Sequence, residues 1–341
     1  MSLTSGVIGF AERVPLPDFV VRAAVHQLCS RTAARLAAGD AASDADFARE
    51  MAARAVAEHT EAANAQHYEV PAAFFGHVLG PNRKYSSCFY RAPASTLQEA
   101  EEEALRQTVD HADLADGQSI LELGCGWGSL SLWMARRFPN SKVVAVSNSH
   151  SQRMHIQSEG AARGLTNLSV MTADMNGFNP GRQFDRIVSV EMFEHMMNWR
   201  ELLERVRSWL APQGRLFMHI FTHRAGAYLF DRNDKADWIG QHFFTGGVMP
   251  SHLLIRQYAD LFEVEKEWRW SGEHYQRTAR DWLANFDAHR NEIETVLRGV
   301  YGAETALWMR RWRWFFLATS GLFGFSGGSE WGVSHYRMKA V

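Results

Sequence analysis

The sequence predicts an α/β protein: a doubly wound, Rossmann-like parallel sheet with an N-terminal helical region before it and an inserted lid near its end. Three observations predict it. From residue 118, short apolar runs alternate with helical patterns, as in a parallel sheet whose crossovers are helices. The first run, Gln118-Ser-Ile-Leu-Glu-Leu123, leads directly into glycines at alternate positions, Gly124, Gly126 and Gly128, and then into the helical pattern Ser129-Leu-Ser-Leu-Trp-Met-Ala-Arg-Arg137. After His223 the rhythm gives way to polar and aromatic segments, before a last strand-like stretch at 334–338.

Residues 1–95 read as the helical region. Pro15 and Pro17 stand before an amphipathic stretch at 20–28, residues 44–63 are rich in alanine and glutamate, and Pro71 opens a further short helix. The core, 96–222, begins with an acidic helix over 96–111 capped by Ser95-Thr96, whose Glu99, Glu101, Glu102 and Glu103 read as a solvated face. Strands follow at 119–123, 142–147, 168–172, 185–190 and 214–220. Right-handed crossovers between them place a ligand at their C-terminal ends. Residues 223–315 read as a substrate lid, and 316–341 as the return to the core.

A chain of 341 residues, 46% of them hydrophobic, can form one large domain or two ordinary ones. The formal charge of -2 gives no basic field, so nucleic acid is not an expected partner. Cys29, Cys88 and Cys125 lack metal-ligand spacing, which suits a reducing compartment and predicts no metal site. The first ten residues lack the basic flank and apolar core of a signal peptide, and the most apolar segment, 314–325, is too short to span a bilayer. A cytoplasmic location is the expectation. Twelve tryptophans and 21 phenylalanines, many after residue 240, make either an aromatic core or a pocket for a flat, greasy substrate.

The strand–glycine–helix junction makes a nucleotide-type site, because only glycine lets backbone approach a ligand this closely. Its spacing is not the Gly-x-Gly-x-x-Gly of dinucleotide enzymes, and Glu122 inside the strand would repel a phosphate. A carboxylate there suits a ligand bearing an ammonium group. S-adenosyl-L-methionine carries one beside its sulfonium, so the junction reads as a methyl-donor site; a glycine-rich turn with no ligand is the plainer alternative. After the second strand, Asn148, Ser149 and Gln152 stand where a nucleotide fold often places an acid for the ribose hydroxyls, and a helix cap by Ser147 or Ser149 is compatible with that role. After the third, Asp174 can accept from an adenine amine while Met175 packs on the ring, or Asp174 can simply cap. After the fourth come Glu191, Glu194 and His195, flanked by Met192, Phe193, Met196 and Met197. Two carboxylates and an imidazole are costly to bury without purpose.

Blocks along nearly the whole chain carry a resemblance: Gln66-His-Tyr-Glu-Val-Pro71, Lys84-Tyr-Ser-Ser-Cys-Phe-Tyr90, the glycine junction, Glu191-Met-Phe-Glu-His-Met196, Phe243-Phe-Thr-Gly-Gly-Val-Met-Pro-Ser251 and Gly327-Gly-Ser-Glu-Trp-Gly-Val-Ser-His335. The glycine motif is shared by many methyltransferases; the Glu-Met-Phe-Glu-His and Glu-Trp blocks are far more specific. The chain resembles the coclaurine N-methyltransferases, relatives of the cyclopropane fatty acid synthases. The synthases methylate a lipid double bond and hold bicarbonate as the base, with a cysteine in the Tyr-Ser-Cys segment and a tyrosine in the late aromatic helix. Here Ser87 follows Tyr85-Ser86, and Arg311-Trp-Arg-Trp-Phe-Phe316 has no tyrosine, while Phe315-Phe316 matches the N-methyltransferase pattern. Ser87 departs from that branch as well.

The resemblance implies direct displacement, in which the nitrogen of a small, cyclic, tetrahydroisoquinoline-like amine takes the methyl group. An alkylamine is mostly protonated at neutral pH, so the site must accept a proton. By resemblance that work falls to His195 as general base, with Glu194 orienting the amine and Glu191 close by. Tyr85 and Ser86 close over the amino-acid end of the cofactor. Arg83, Lys84 and Arg310-Arg-Trp-Arg313 also allow a less favoured reading, contact with phospholipid headgroups during modification of an unsaturated acyl chain. A cofactor sensor without chemistry would not need the Glu194-His195 pair. Pairing with a second copy of the chain, a homodimer, is left open.

Overall fold

The computed structural model describes residues 12, 14–39, 42–58, 70–231 and 237–341. Helices α1 (Asp18–Ala37), α2 (Asp44–Ala52), α3 (Ala72–Val78) and α4 (Leu97–Ala112) precede the sheet. The expected helix over 44–63 therefore stops at Ala52; its residues 59–63 lie outside the described residues, as do Gln66, His67, Tyr68 and Glu69 of the first resemblance block and the amino-terminal segment 1–10. Then come β1 (Ser119–Leu123), α5 (Ser129–Arg137), β2 (Lys142–Ser147), α6 (His150–Ala162), β3 (Leu168–Thr172), β4 (Phe184–Val190), α7 (Trp199–Trp209) and β5 (Leu210–His223). A small ribbon of β6 (Tyr228–Leu229) and β7 (Val248–Met249) flanks the short helix α8 (Trp238–His242). The chain closes with β8 (Phe262–Ser271), α9 (Gly272–Ala288), α10 (Arg290–Tyr301), α11 (Thr305–Gly324) and β9 (Trp331–Ala340).

Seven strands form one sheet in the order β3-β2-β1-β4-β5-β9-β8. The first five are parallel to one another, and β9 and β8 add antiparallel at one end. The chain steps outward from β1 to β2 and β3, then returns to the other side of β1 with β4. That reversal opens a crevice at the carboxyl ends of β1 and β4. β1 is buried on both faces, through Ile120, Leu121 and Leu123, as a central parallel strand requires; Glu122 is its one buried charge.

Strand β8 was not among the sequence candidates. It lies inside 223–315 and pairs with β9 from Phe262 opposite Ala340 to Ser271 opposite Gly332. The acidic helix also differs from expectation. Glu101 is fully buried, accepting from the backbone amides of Asn82 (2.8 Å) and Lys84 (3.2 Å), and burial raises its carboxyl to about 7. Glu102 accepts from the Trp133 indole at 2.8 Å. Glu103 is buried as well, whereas Glu102 and Glu99, the latter in the capping box with Thr96, are exposed as expected. Among the described residues no helix is long and apolar enough to cross a membrane.

Candidate active site

The turn from β1 into α5 is pinned by the amides of Gly124 and Cys125, which both donate to the Val146 carbonyl on β2 at 3.0 Å. Gly124, Gly126 and Gly128 all have left-handed backbone, with φ of 79°, 51° and 84°. Their surroundings differ. A Cβ on Gly124 would lie 2.5 Å from Met192, and one on Gly128 would lie 2.7 Å from Ile156, so both positions are dictated by packing. A Cβ on Gly126 would meet nothing within 4 Å, because Gly126 lines an open cleft at the sheet reversal. Glu122 lines the cleft too; its Oε2 accepts from the Ser131 hydroxyl, and burial raises its carboxyl to about 7. Ser129, at the start of α5, adds a buried hydroxyl that has no partner among the described residues. Open room over a glycine, a carboxyl and a spare donor together fit the amino-acid end of S-adenosylmethionine.

Asn148 and Gln152 also line the cleft, Gln152 fixed by the Ser147 hydroxyl, which donates to its Oε1 at 2.6 Å. Ser149 does not; its hydroxyl caps α6 by accepting from the Gln152 amide. Gly128 is likewise outside the cleft wall. Asp174 and Met175 are on it, and Asp174 accepts from the Asn176 amide at 2.8 Å. Asn176 in turn exchanges two hydrogen bonds of 3.0 Å with the backbone of Ala57, which brings Ala57 and Glu58 onto the wall. Tyr85 and Ser86 line the cleft beside the buried Lys84, whose Nζ donates to the Ser86 hydroxyl at 2.5 Å and the Ser87 carbonyl at 2.7 Å.

Glu191, Glu194 and His195 occupy three different environments. Glu191 ends β4 with a left-handed φ of 48°, a strained conformation for a side-chain-bearing residue. Its Oε1 accepts from the Ser87 amide at 2.9 Å and meets His219 Nε2 at 3.1 Å, while its Oε2 accepts from the Tyr275 hydroxyl at 2.8 Å. Burial raises this carboxyl, and the Lys84 charge, the Ser87 amide and the Tyr275 hydroxyl oppose the rise. Glu194 is fully buried and is not on the cleft wall. Its Oε1 accepts from the Phe221 amide at 2.7 Å, and burial, then the neighbouring Glu191, hold it well above the carboxylate range. His195 does line the cleft, its ring centroid 4.3 Å from that of Phe244. Burial lowers it to about 4, with Glu191 opposing, so the imidazole is neutral at pH 7.

Tyr275, His219, Phe221 and Phe244 are contributors to which the sequence reading gave no role, and all but His219 line the cleft; Phe315, singled out in the sequence, lines it too. Tyr275, on α9, reaches Glu191 from 84 residues further along the chain. Ser87 takes part through its amide, and its buried hydroxyl donates to the Cys88 carbonyl at 3.2 Å, so the serine side chain stays out of the cage. The basic run on α11 is turned inward: Arg310 and Arg311 donate to Glu12, and Arg313 pairs with Asp18 and Asp287.

The family model described as mycolic acid cyclopropane synthetase matches residues 56–323. (S)-Coclaurine N-methyltransferase of Thalictrum flavum subsp. glaucum is 36% identical over 289 residues, 83% of this chain and 80% of its own length. Cyclopropane-fatty-acyl-phospholipid synthase of Escherichia coli (strain K12) is 31% identical over 67% of this chain and 57% of its own. Among solved structures, coclaurine N-methyltransferase bound to N-methylheliamine and SAH matches with a TM-score of 0.90 at 31% identity, covering 95% of this chain and 96% of that one. A family match that spans six of the seven strands of the sheet, joined to a cleft built around the Gly124–Gly128 turn, establishes that the chain belongs to the mycolic acid cyclopropane synthetase family and is an S-adenosylmethionine-dependent methyltransferase.

Proposed function

We propose that the chain methylates the nitrogen of a small, cyclic, aromatic amine of the tetrahydroisoquinoline type. The observation that carries this is the occupant of the donor cage at the cleft. The Ser87 amide, the His219 ring and the Tyr275 hydroxyl converge on the protein's own carboxylate, Glu191. A bicarbonate brought to these donors would lie against a carboxylate, at the cost that two like charges impose on each other. An amine instead gains from a carboxylate in the wall. Phe221, Phe244, Phe315 and Met192 offer apolar faces for a flat ring. The coclaurine N-methyltransferase likeness supports the same acceptor, and the arginines of α11, paired with Glu12, Asp18 and Asp287, are taken from the headgroup contacts that the lipid reading calls for.

S-adenosylmethionine supplies, when bound, a methyl group already activated on sulfonium. Glu122 and the room over Gly126 receive its amino-acid end, closed by Tyr85 and Ser86; Asn148 and Gln152 face the ribose, and Asp174 and Met175 the adenine. The amine enters as an ammonium ion and gives up an N–H proton to expose its lone pair. His195 is neutral at pH 7 and takes that proton, while Glu191 beside it favours the resulting imidazolium. Glu194 acts at one remove, holding the Phe221 backbone in the wall. Mass spectrometry of reactions with S-adenosylmethionine and two panels, cyclic amines and unsaturated phospholipids, tests the reading. A mass gain of one methyl on an amine supports it, and modification of the lipids alone overturns it.

A further inference from the structure

Lys84 belongs to a stretch without helix or strand, residues 79–90, that runs between α4, α9 and the end of β4. Its backbone is pinned from each of them. Glu101 of α4 accepts from the Asn82 and Lys84 amides at 2.8 and 3.2 Å, and Arg83 between them takes a left-handed φ of 51°. The Ser87 amide donates to Glu191 at 2.9 Å, and the Cys88 amide to the Thr278 hydroxyl of α9 at 3.0 Å. Within this frame the Lys84 side chain is buried and forms no ion pair with a described residue. Its Nζ donates to two neutral oxygens, the Ser86 hydroxyl at 2.5 Å and the Ser87 carbonyl at 2.7 Å. Burial lowers the ammonium from a lysine's ordinary range, and Cys88, Glu191 and Glu101 oppose that. An ammonium buried on neutral acceptors is costly, and an apolar side chain would fill the same space at lower cost.

The consequence falls on Ser86. An ammonium only donates, so the Ser86 oxygen accepts from Lys84 and its own O–H is left for another acceptor. No described residue supplies one. Ser86 is buried yet lines the cleft beside Tyr85, where the amino-acid end of the cofactor is received. That end carries an ammonium, which suits Glu122, and a carboxylate, which can only accept. Arg83, the other cation on the described wall, directs its guanidinium to the Ala72 carbonyl at 3.1 Å. We propose that Lys84 is a positioning residue for the cofactor: it holds the Ser86 oxygen as an acceptor, so that the polarised Ser86 hydroxyl donates to the cofactor's carboxylate. This rests on the placement of the amino-acid end given above and not on the identity of the methyl acceptor. Lys84 acts through Ser86, because both of its hydrogen bonds go to the protein. Those two bonds also tie Ser86 to Ser87, whose amide serves Glu191, so one ammonium keeps the cofactor side and the acceptor side of the cleft in register.

Calorimetry with two ligands tests this without turnover: S-adenosylmethionine and its decarboxylated form, which keeps the sulfonium and the ammonium and lacks only the carboxylate. Lys84→Met should weaken S-adenosylmethionine binding about tenfold or more, the scale of a hydrogen bond to a charged group, and leave the decarboxylated ligand within about twofold of wild type. A merely structural lysine would weaken both ligands alike. Ser86→Ala should show the same selective loss, and adding Lys84→Met to Ser86→Ala should weaken binding no further, as for two residues that act as a unit. Should Lys84→Met fail to fold, Ser86→Ala decides alone, and an equal loss for the two ligands overturns the proposal. Undiminished affinity in Lys84→Met, a loss shared by both ligands, or additive losses in the double variant would each overturn it as well. With S-adenosylmethionine binding weakened in Glu122→Gln, any of these results leaves the cofactor placement standing. Glu122→Gln and Ser86→Ala that both bind as wild type would overturn the placement, and the role of Lys84 with it.

Discussion

Three glycines in one turn serve two different purposes, and the difference predicts how they respond to substitution. Gly124 and Gly128 are closed in by Met192 and Ile156, whereas Gly126 faces open space in the cleft. Gly126→Ala adds a Cβ that meets no protein atom, so its only cost to the fold is the strain of a left-handed φ of 51°, and it should cut S-adenosylmethionine binding, which calorimetry can read; undiminished affinity would remove the junction from the cofactor site. Glu122, raised to about 7 by burial, is mostly protonated near pH 6. A bound ammonium group favours the ionised form and pulls the pKa down, so cofactor binding near pH 6 should release a proton. Calorimetry in buffers of different ionisation enthalpy should detect that release in the wild type and not in Glu122→Gln. For His195, lowered to about 4, the neutral ring is the working form at pH 7. His195→Ala should lower turnover by about 10²–10⁴ with cofactor affinity little changed, and the deficit should narrow as rising pH deprotonates the amine. A deficit of constant size across pH would make the histidine structural.

Elements bring these residues together, and the link between β4 and β5 shows how. Glu194 follows β4 and binds the Phe221 amide of β5, and burial, then Glu191, hold its carboxyl well above the carboxylate range. Glu194→Gln should then be nearly silent in stability and retain most activity, since the amide oxygen accepts as the carboxyl did. Glu194→Ala leaves the buried Phe221 N–H unpaired and should cost about 1–3 kcal/mol in urea unfolding. A large loss of turnover in Glu194→Gln would return this residue to the reacting atoms. The parallel strands β1–β4 were legible in the sequence because each is a short, mainly apolar run, and the ligand crevice follows from their order. Strand β8 was not. At the sheet edge a bulge between Val264 and Lys266 shifts its register, so Phe262 and Val264 face one side of the sheet and Trp268 and Trp270 the other, and the run Glu263 to Arg269 with its five charged residues resembles a loop beside the apolar strands. Tyr275 and His219 were illegible for another reason. Each meets Glu191 only because the sheet and α9 fold back on β4, and no local pattern records that meeting.

At the scale of the whole molecule, one family supports two chemistries, and the occupant of a single cage decides between them here. Lipid cyclopropanation requires a base placed against carbon, which the resemblance read in the sequence expects to be bicarbonate. In this chain the Ser87 amide, His219 and Tyr275 already serve a carboxylate tethered to β4, so the charge is part of the protein. Lys84, buried beside it, offsets that charge without leaving a vacancy for a second anion. An amine needs only its lone pair freed near His195, with Glu191 to favour the departing proton. Turnover should therefore be indifferent to removal of bicarbonate by degassing at constant pH, and the product should carry its new methyl group on nitrogen. The converse experiment sharpens the point: Glu191→Gly empties the cage while keeping the left-handed φ of 48°, which glycine adopts freely. That variant should lose amine methylation, and added bicarbonate should restore part of it by replacing the missing carboxylate at the same three donors. Bicarbonate-dependent methylation of an unsaturated phospholipid by the unaltered protein would reverse the assignment.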